Sequence, residues 1–432
     1  MRSQSYDPTR LGVVFDDDHA VANAGLTLTA ILAGRLGIEG LADEMIHLGD
    51  VAGAARPGRK VMTLVHAMVA GGDCIDDVEV LRVGSTAGVV GHQVMAPSTC
   101  GTFLRSFTFG HVRQLDRLFG TVLGRAWAAG AGPGDEPMTV DLDSTICEVH
   151  GYQKEGAAYG YSRVLGYHPL LATRADSGEI LHLRARKGSA GSGRGAQRFV
   201  EETVARLRRA GAAGPLTLRA DSGFYSWELI GTCQKRGVRF SITVNNNPAV
   251  MRAIAAIPEA DWVPIDYTPD GEAQVAETPY NQLRLVVRRT RLVGAQATLW
   301  PDWRHHAFIT DRPGDPVSLD ADHRQHAVCE LAIRDWKEGS GAIHCPSGRF
   351  NANAAWLALT ALAHNLIRWV TTLGLGTHGT VVAKTLRRHL ITLPGRITRS
   401  SRRHRLHLPR DWPWQHQFLT AATRLRALPA LC

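Results

Sequence analysis

Two apolar runs in the sequence end on an acid. MTVDLDSTICEV, residues 138–149, reads as a buried β-strand with Asp141 and Asp143 on one face, because side chains two apart on a strand point the same way. PLTLRADSGF, residues 215–224, reads as a short strand ending on Asp221. A third acid, Glu330, lies in ADHRQHAVCELAIRDWKEG, a stretch of helical texture where Glu330, Arg334 and Lys337 share one face at i, i+4 and i+7. An ionised carboxylate survives on a buried strand only when it is paired or bound to metal. Hard oxygen ligands of this kind select Mg²⁺ or Mn²⁺. Two such ions, about 3.5–4 Å apart, can clamp the attacking and leaving oxygens of a phosphoryl displacement. Plainer readings stay open beside this one. Asp-Ser-Gly is good turn chemistry for Asp221, and Glu330 could simply pair with Arg334 on a helix surface. His19, His47 and the His305-His306 pair show no metal-ligand spacing.

The elements that would position these acids follow from the pattern around them. VLGYHPLLATRA and GEILHLRARKG read as two more strands, separated by the turn Asp176-Ser177-Gly178. GSAGSGRGAQ is a Gly-rich loop without the Gly-Lys-Ser/Thr ending of a phosphate-binding loop, so it is given no nucleotide role. AQRFVEETVARLRRAG is an amphipathic helix, SWELIGTCQKRG another, and VRFSITVNN a strand. The order is three consecutive strands, helix, strand, helix, strand. That implies an α/β fold whose mixed sheet is flanked by helices, the element order of the ribonuclease-H-like fold. In that fold the first and fourth strands are neighbours, which would set Asp143 beside Asp221.

Outside this unit the texture changes. Residues 1–130 read as a helical N-terminal domain, clearest over residues 98–127, where Leu115, Leu118, Phe119, Val122 and Leu123 form one stripe. Arg105, Arg113, Arg117 and Arg125 make it either a DNA-binding domain or a bundle with solvated arginines. AAGAGPGDEP then reads as a linker. Residues 246–319 alternate like strands, contain no good helix, and hold Trp262, Trp300 and Trp303; they read as a β-rich insertion. NANAAWLALTALAHNLIRWVTTLG is the most apolar helix and should pack behind the sheet. The catalytic unit would therefore be residues 138–245 with 320–372, followed by a basic C-terminal region, 373–432. Residues 384–410 hold no acidic residue and include Arg402 and Arg403, a plausible phosphate contact.

The whole chain, 432 residues and 44% hydrophobic, can bury a large core. A net charge of +9 favours a polyanionic partner, nucleic acid before membrane. Seven scattered cysteines without a Cys-x-x-Cys pair argue against a zinc ribbon or a disulfide framework. No secretory signal or membrane span is visible, so a soluble cytoplasmic protein is expected.

Asp143-Ser144-Thr145, then VHGYQKEGAAYGYSRVLGYHPLLA, then ADSGF around Asp221, resemble the DDE transposases of bacterial insertion sequences, in particular the insertion-sequence thirteen-eighty family. The related insertion-sequence-four group carries a β-insertion before its catalytic Glu and the signature Tyr-x2-Arg-x3-Glu-x6-Lys. Glu330 and Lys337 match its Glu and Lys, whereas His323 and His326 stand where Tyr and Arg would be. Glu338 becomes the third acid only if that alignment is wrong. The resemblance selects Asp143 over Asp141, since the family's Asp precedes Ser/Thr; Asp141 is then a supporting carboxylate. It implies that Asp143, Asp221 and Glu330 hold two Mg²⁺ or Mn²⁺ ions, and that Lys337 contacts a phosphate near the cut. It also implies that Arg324 or Arg334 stands in for the missing Arg and that Trp300 or Trp303 stacks on a flipped base. The expected partners are terminal inverted repeats and target DNA, with a homodimer in the synaptic complex and nucleoid association in a bacterial cytoplasm. Two alternatives remain: a catalytically inactive, transposase-derived DNA-binding protein, and a ribonuclease-H-like nuclease or resolvase that cuts without joining.

Overall fold

The computed structural model describes residues 7–151, 153–160, 163–267, 271–292, 303–377, 379, 381–401 and 403–431. A short strand β1 (Ala20–Val21) precedes helices α1 (Leu26–Arg35), α2 (Ile38–Met45), α3 (Pro57–Ala70), α4 (Ala87–Val90), α5 (Pro97–Arg105) and α6 (Phe109–Ala126). The helical segment over residues 98–127 is two helices. Thr108 breaks it: its extended backbone and a reciprocal capping box with His111 start α6 afresh. The predicted stripe from Leu115 to Leu123 is buried. Its arginines are not simply solvated. Arg113 pairs with Glu202 at 2.9 Å, and Arg125 donates to the carbonyls of Leu36 and Leu431 at 2.8 and 2.7 Å.

Next come β2 (Met138–Ser144), β3 (Cys147–Glu148), β4 (Ala158–Tyr159), β5 (Leu165–Tyr167), β6 (Leu170–Arg174) and β7 (Ile180–Arg184). VLGYHPLLATRA is therefore two strands, divided at His168-Pro169; β5 joins a small sheet of order β3-β5-β4. Proline has no N–H to continue a ladder, which explains the division. Then follow α7 (Ala196–Ala210), β8 (Leu216–Ala220), α8 (Trp227–Lys235), β9 (Arg239–Val244) and α9 (Pro248–Ala255). Helix α9 corrects the expectation of no helix in residues 246–319. Asn247 caps it by accepting from the N–H groups of Ala249 and Val250, and Pro248 suits its first turn. Strands β10 (Val263–Ile265), β11 (Gly271–Tyr280), β12 (Leu283–Leu292) and β13 (Arg304–Thr310) lead to α10 (Pro316–Arg324), α11 (Val328–Gly339), α12 (Phe350–Trp369) and α13 (Ala383–Leu386). The chain ends in β14 (Gly395–Ser400), β15 (Arg403–His407) and α14 (Gln415–Ala427).

The main sheet has the order β10-β11-β12-β13-β9-β8-β2-β6-β7. β2 runs parallel to β8 and β8 to β9, while β6 and β7 are antiparallel hairpin neighbours. Those five strands are the ribonuclease-H-like sheet. β13 pairs antiparallel with β9, so the strands of the 246–319 segment lengthen the same sheet. Helix α12 lies against β7, where Asn365 accepts from Ile180 N and donates to its carbonyl, at 2.9 and 2.8 Å. Buried Glu179, just before β7, accepts from the indoles of Trp127 and Trp369 at 3.1 and 2.5 Å and ties α6 and α12 together. Among the described residues, no helix is long and apolar enough to cross a membrane.

Candidate active site

Strand β2 delivers Asp143 and β8 delivers Asp221. The parallel register pairs Asp141 with Arg219 and Leu142 with Ala220, so the next residue of each strand is the acid, at the same end of two adjoining strands. Asp221 lies just past the end of β8 and accepts from Gly223 N at 2.9 Å, the turn its Asp-Ser-Gly sequence favours. Its turn geometry and its place beside Asp143 coexist. Glu330 arrives from far along the chain, exposed in the first turn of α11. The proton affinity of Asp143 registers all of this. Its carboxyl stands at about 6: burial raises it most, Ser144 N, donating at 2.6 Å, and His326 pull it down, and Asp221 and Glu330 raise it. Two other carboxylates therefore act on Asp143 through space.

A cleft of 620 Å³ adjoins this cluster, lined among others by Asp143, Thr145, Glu148, Glu330, Arg334 and Lys337. Glu338 lines it as well. The Lys337 ammonium donates to Ile146 O at 2.7 Å and pins α11 to the end of β2. Arg334 is exposed in the cleft. Glu148 also borders a larger groove of 870 Å³ reaching Arg105, His150, Lys154 and His344.

The remaining candidates lie elsewhere. Arg324 bonds Asp320 at 2.9 Å and lies over the Tyr267 ring at 4.6 Å, outside the cleft lining. Trp303 packs against the guanidiniums of Arg289 and Arg291, each 4.5 Å from its ring centroid. Trp300 and Arg402 fall outside the described residues. Arg403 is exposed on β15, away from the cleft lining.

The sequence did not reveal what supports the acids. Asp141 is buried and accepts two bonds from Arg219, at 2.8 and 2.9 Å, with His326 at 2.8 Å on one of the same oxygens. His326 precedes Glu330 by one helical turn, so the residue two before Asp143 grips the segment that carries Glu330. His323 is a core residue instead: it bridges Ser241 and Thr243 at 2.7 and 2.9 Å, stacks on Phe308, and burial holds its imidazole well below the ordinary range. The Gly-rich loop also comes here, Ser192 Oγ lying 3.2 Å from Ser144 Oγ. Strand periodicity reveals Asp141 as buried; its partners, 78 and 185 residues away, leave no local signal.

Hard carboxylate donors fit a divalent cation. The desolvated Asp143, pushed toward its neutral form by two like charges, is the group a cation would return to the ionised state. The ligand atoms of the three acids do not all lie within 4.8 Å of one another. Among the described residues, the groups that do are Asp73, Cys74 and Asp77, and Asp116, His182 and Glu202. The first is organised by Asp77 accepting from the N–H groups of Asp73 and Cys74. In the second, arginines 113, 184 and 206 satisfy the carboxylates.

No curated protein matches the sequence. The piggyBac transposase, in a synaptic complex with hairpin DNA, is similar in structure at a TM-score of 0.45 and 12% identity, over 86% of this chain and 79% of that one. Residues 4–430 match the family described as Transposase DDE domain group 1, and the chain belongs to that family.

Proposed function

We propose that this protein is an insertion-sequence transposase of the thirteen-eighty type, which binds the terminal inverted repeats of its element, cuts the phosphodiester at each end and joins the freed 3′-hydroxyl to target DNA. The observation that carries the reading is the parallel β2–β8 register, which sets Asp221 beside Asp143, together with the cleft that Asp143 and Glu330 line in common. These three carboxylates would hold two Mg²⁺ or Mn²⁺ ions. When bound, such ions supply Lewis-acid stabilisation of the attacking and leaving oxygens.

The chain's own side chains do the rest. Arg334 offers a planar, permanently charged donor to a phosphate entering the cleft. Lys337 holds α11 against the end of β2, and its ammonium is a point charge for the phosphate beside the cut. The Asp141–Arg219–His326 cluster fixes the spacing between the strand of Asp143 and the helix of Glu330. His326 stands where relatives carry Arg, and its bond to Asp141 gives it a positioning role in place of a phosphate contact. Two ends must be cut in one assembly, so the protein acts as a homodimer on DNA, in the bacterial cytoplasm.

Asp143→Asn, Asp221→Asn and Glu330→Gln are each expected to lower metal-dependent cleavage of end-containing duplex by several orders of magnitude while leaving end binding intact. Wild-type cleavage by any one of them would remove that residue from the site. A precut end offered with target DNA tests joining; cutting without joining would make the protein a nuclease or resolvase.

A further inference from the structure

The pair β14–β15 lies within the run of residues that holds no acid. Its register is Arg396↔His407, Ile397↔Leu406, Thr398↔Arg405, Arg399↔His404 and Ser400↔Arg403. Directly paired residues share a face and successive residues alternate. One face therefore carries Arg396, Thr398, Ser400, Arg403, Arg405 and His407. The opposite face carries Ile397 and Leu406 near the base, both packed against the protein core, and Arg399 and His404 toward the tip. All four of these arginines and both histidines are exposed.

The base of the ribbon is anchored, and Arg399, Ser400, Arg403 and His404 toward its outer end are exposed. β1 pairs with β14 at Ala20↔Arg396 and Val21↔Gly395, and Ile397 N donates to His19 O at 3.0 Å. Beyond Ile397, β14 pairs only with β15 among the described residues. Among the described residues, the one ion pair of these arginines, Arg396 to Asp17 at 3.9 Å, is at the anchored end. Thr398 Oγ1 and His407 Nε2, 2.8 Å apart, brace the two strands. Ser401, just past β14, has φ 48°, in the left-handed region that hairpin turns favour. At about 3.3 Å per residue, the three pairs beyond Ile397 project the tip by roughly 10 Å.

We propose that this ribbon enters the major groove of duplex DNA. That groove, about 12 Å wide and 8.5 Å deep, admits a two-stranded antiparallel ribbon, its walls are phosphates, and its floor offers guanine O6 and N7 to arginine forks. The ribbon matches it in shape, in charge and in carrying donors. Its cationic face has no apolar side chain to bury in lipid, which favours nucleic acid over a membrane surface. The inference rests on the reading of the protein as a transposase, but it concerns a surface that does not line the catalytic cleft.

The test uses the full chain and the variant R399Q/R403Q/R405Q, all surface positions, with thermal melting as the control for folding. The probe is a duplex cut from the DNA bracketing the gene. Wild type is expected to protect guanine N7 from dimethyl sulfate, and the variant to lose that protection. The log–log salt slope of binding is expected to fall by about 0.9 for each phosphate contact removed. Unchanged slope and protection in the variant would overturn the proposal, as would protection confined to adenine N3 in the minor groove. Phosphatidylserine vesicles that bind wild type but not the variant, with duplex binding equal in both, would assign the ribbon to membranes and overturn it too. Wild type that shows the N7 protection but never cuts would leave the ribbon standing while the catalytic reading falls; cutting by a variant that binds as wild type does the reverse.

Discussion

At the scale of residues, two aspartates on one strand face have opposite fates. Asp141 is neutralised by the Arg219 fork and His326, whereas Asp143 faces two further acids from a partly desolvated position. A carboxyl pushed up to about 6 must lose its proton to bind a cation, so affinity for the metal is expected to rise with pH up to about 6 and then level off, read by metal titration across that range. The same elevation has a cost in stability. The folded value lies above the unfolded value of 3.8, so the contribution of Asp143 to stability is fully present below that lower value and is lost as pH rises through about 6. Asp143→Asn should therefore stabilise the metal-free protein at pH 7.5, by about 1–3 kcal/mol, with the advantage shrinking toward pH 4. Denaturant melts in EDTA at both pH values check this; a variant less stable than wild type at pH 7.5 would contradict it.

At the scale of elements, helix α11 matters most because it alone carries Glu330 to the strand ends. It is held at three levels. His326 ties the segment before it to Asp141, Lys337 ties its last turn to Ile146 O, and buried Asp335 ties its back to α12 and α13. Asp335 accepts from Arg368 and from Ala383 N, both at 2.8 Å, and burial raises its carboxyl against the pull of that guanidinium. Removing one partner of a buried pair leaves the other charge uncompensated. Asp335→Ala should cost about 3–5 kcal/mol and Asp335→Asn less, since the one amide oxygen still accepts from one of the two donors. Equal losses for the two, measured by urea unfolding, would show that the lost charge and not the lost side-chain volume dominates.

At the scale of the whole molecule, one buried cluster runs from Val21 through the sheet to Leu425. The N-terminal helices therefore do not close on a core of their own. α3 and α6 pack on α12, α6 packs on α7, and the Arg206–Asp116 pair and the Glu179 hub cross the same boundary. Calorimetry is expected to show one main unfolding transition, and Leu118→Ala should lower it as a unit; two resolved peaks would mean that the helical segment unfolds independently.

Local pattern carried the sequence a long way. Alternation and turn chemistry placed β2 and β8 and their terminal acids, because strand period and Gly/Pro punctuation are properties of a few adjacent residues. The order of elements gave the neighbours β2 and β8, because crossover handedness leaves few arrangements. Composition marked residues 384–410 as basic, yet could not tell a solvated tail from a braced ribbon, since pairing depends on β1 and the core beneath Ile397. Nor could it separate the roles of His323 and His326. Both follow the same helical texture, and only packing decides that one fills the core against Phe308 while the other reaches Asp141 across 185 residues. The acids themselves were legible in the chain. The shared cleft, the desolvation of Asp143 and the bonds from His326 and Lys337 that hold the helix of Glu330 are long-range quantities, and they exist only once tertiary packing has brought those segments together.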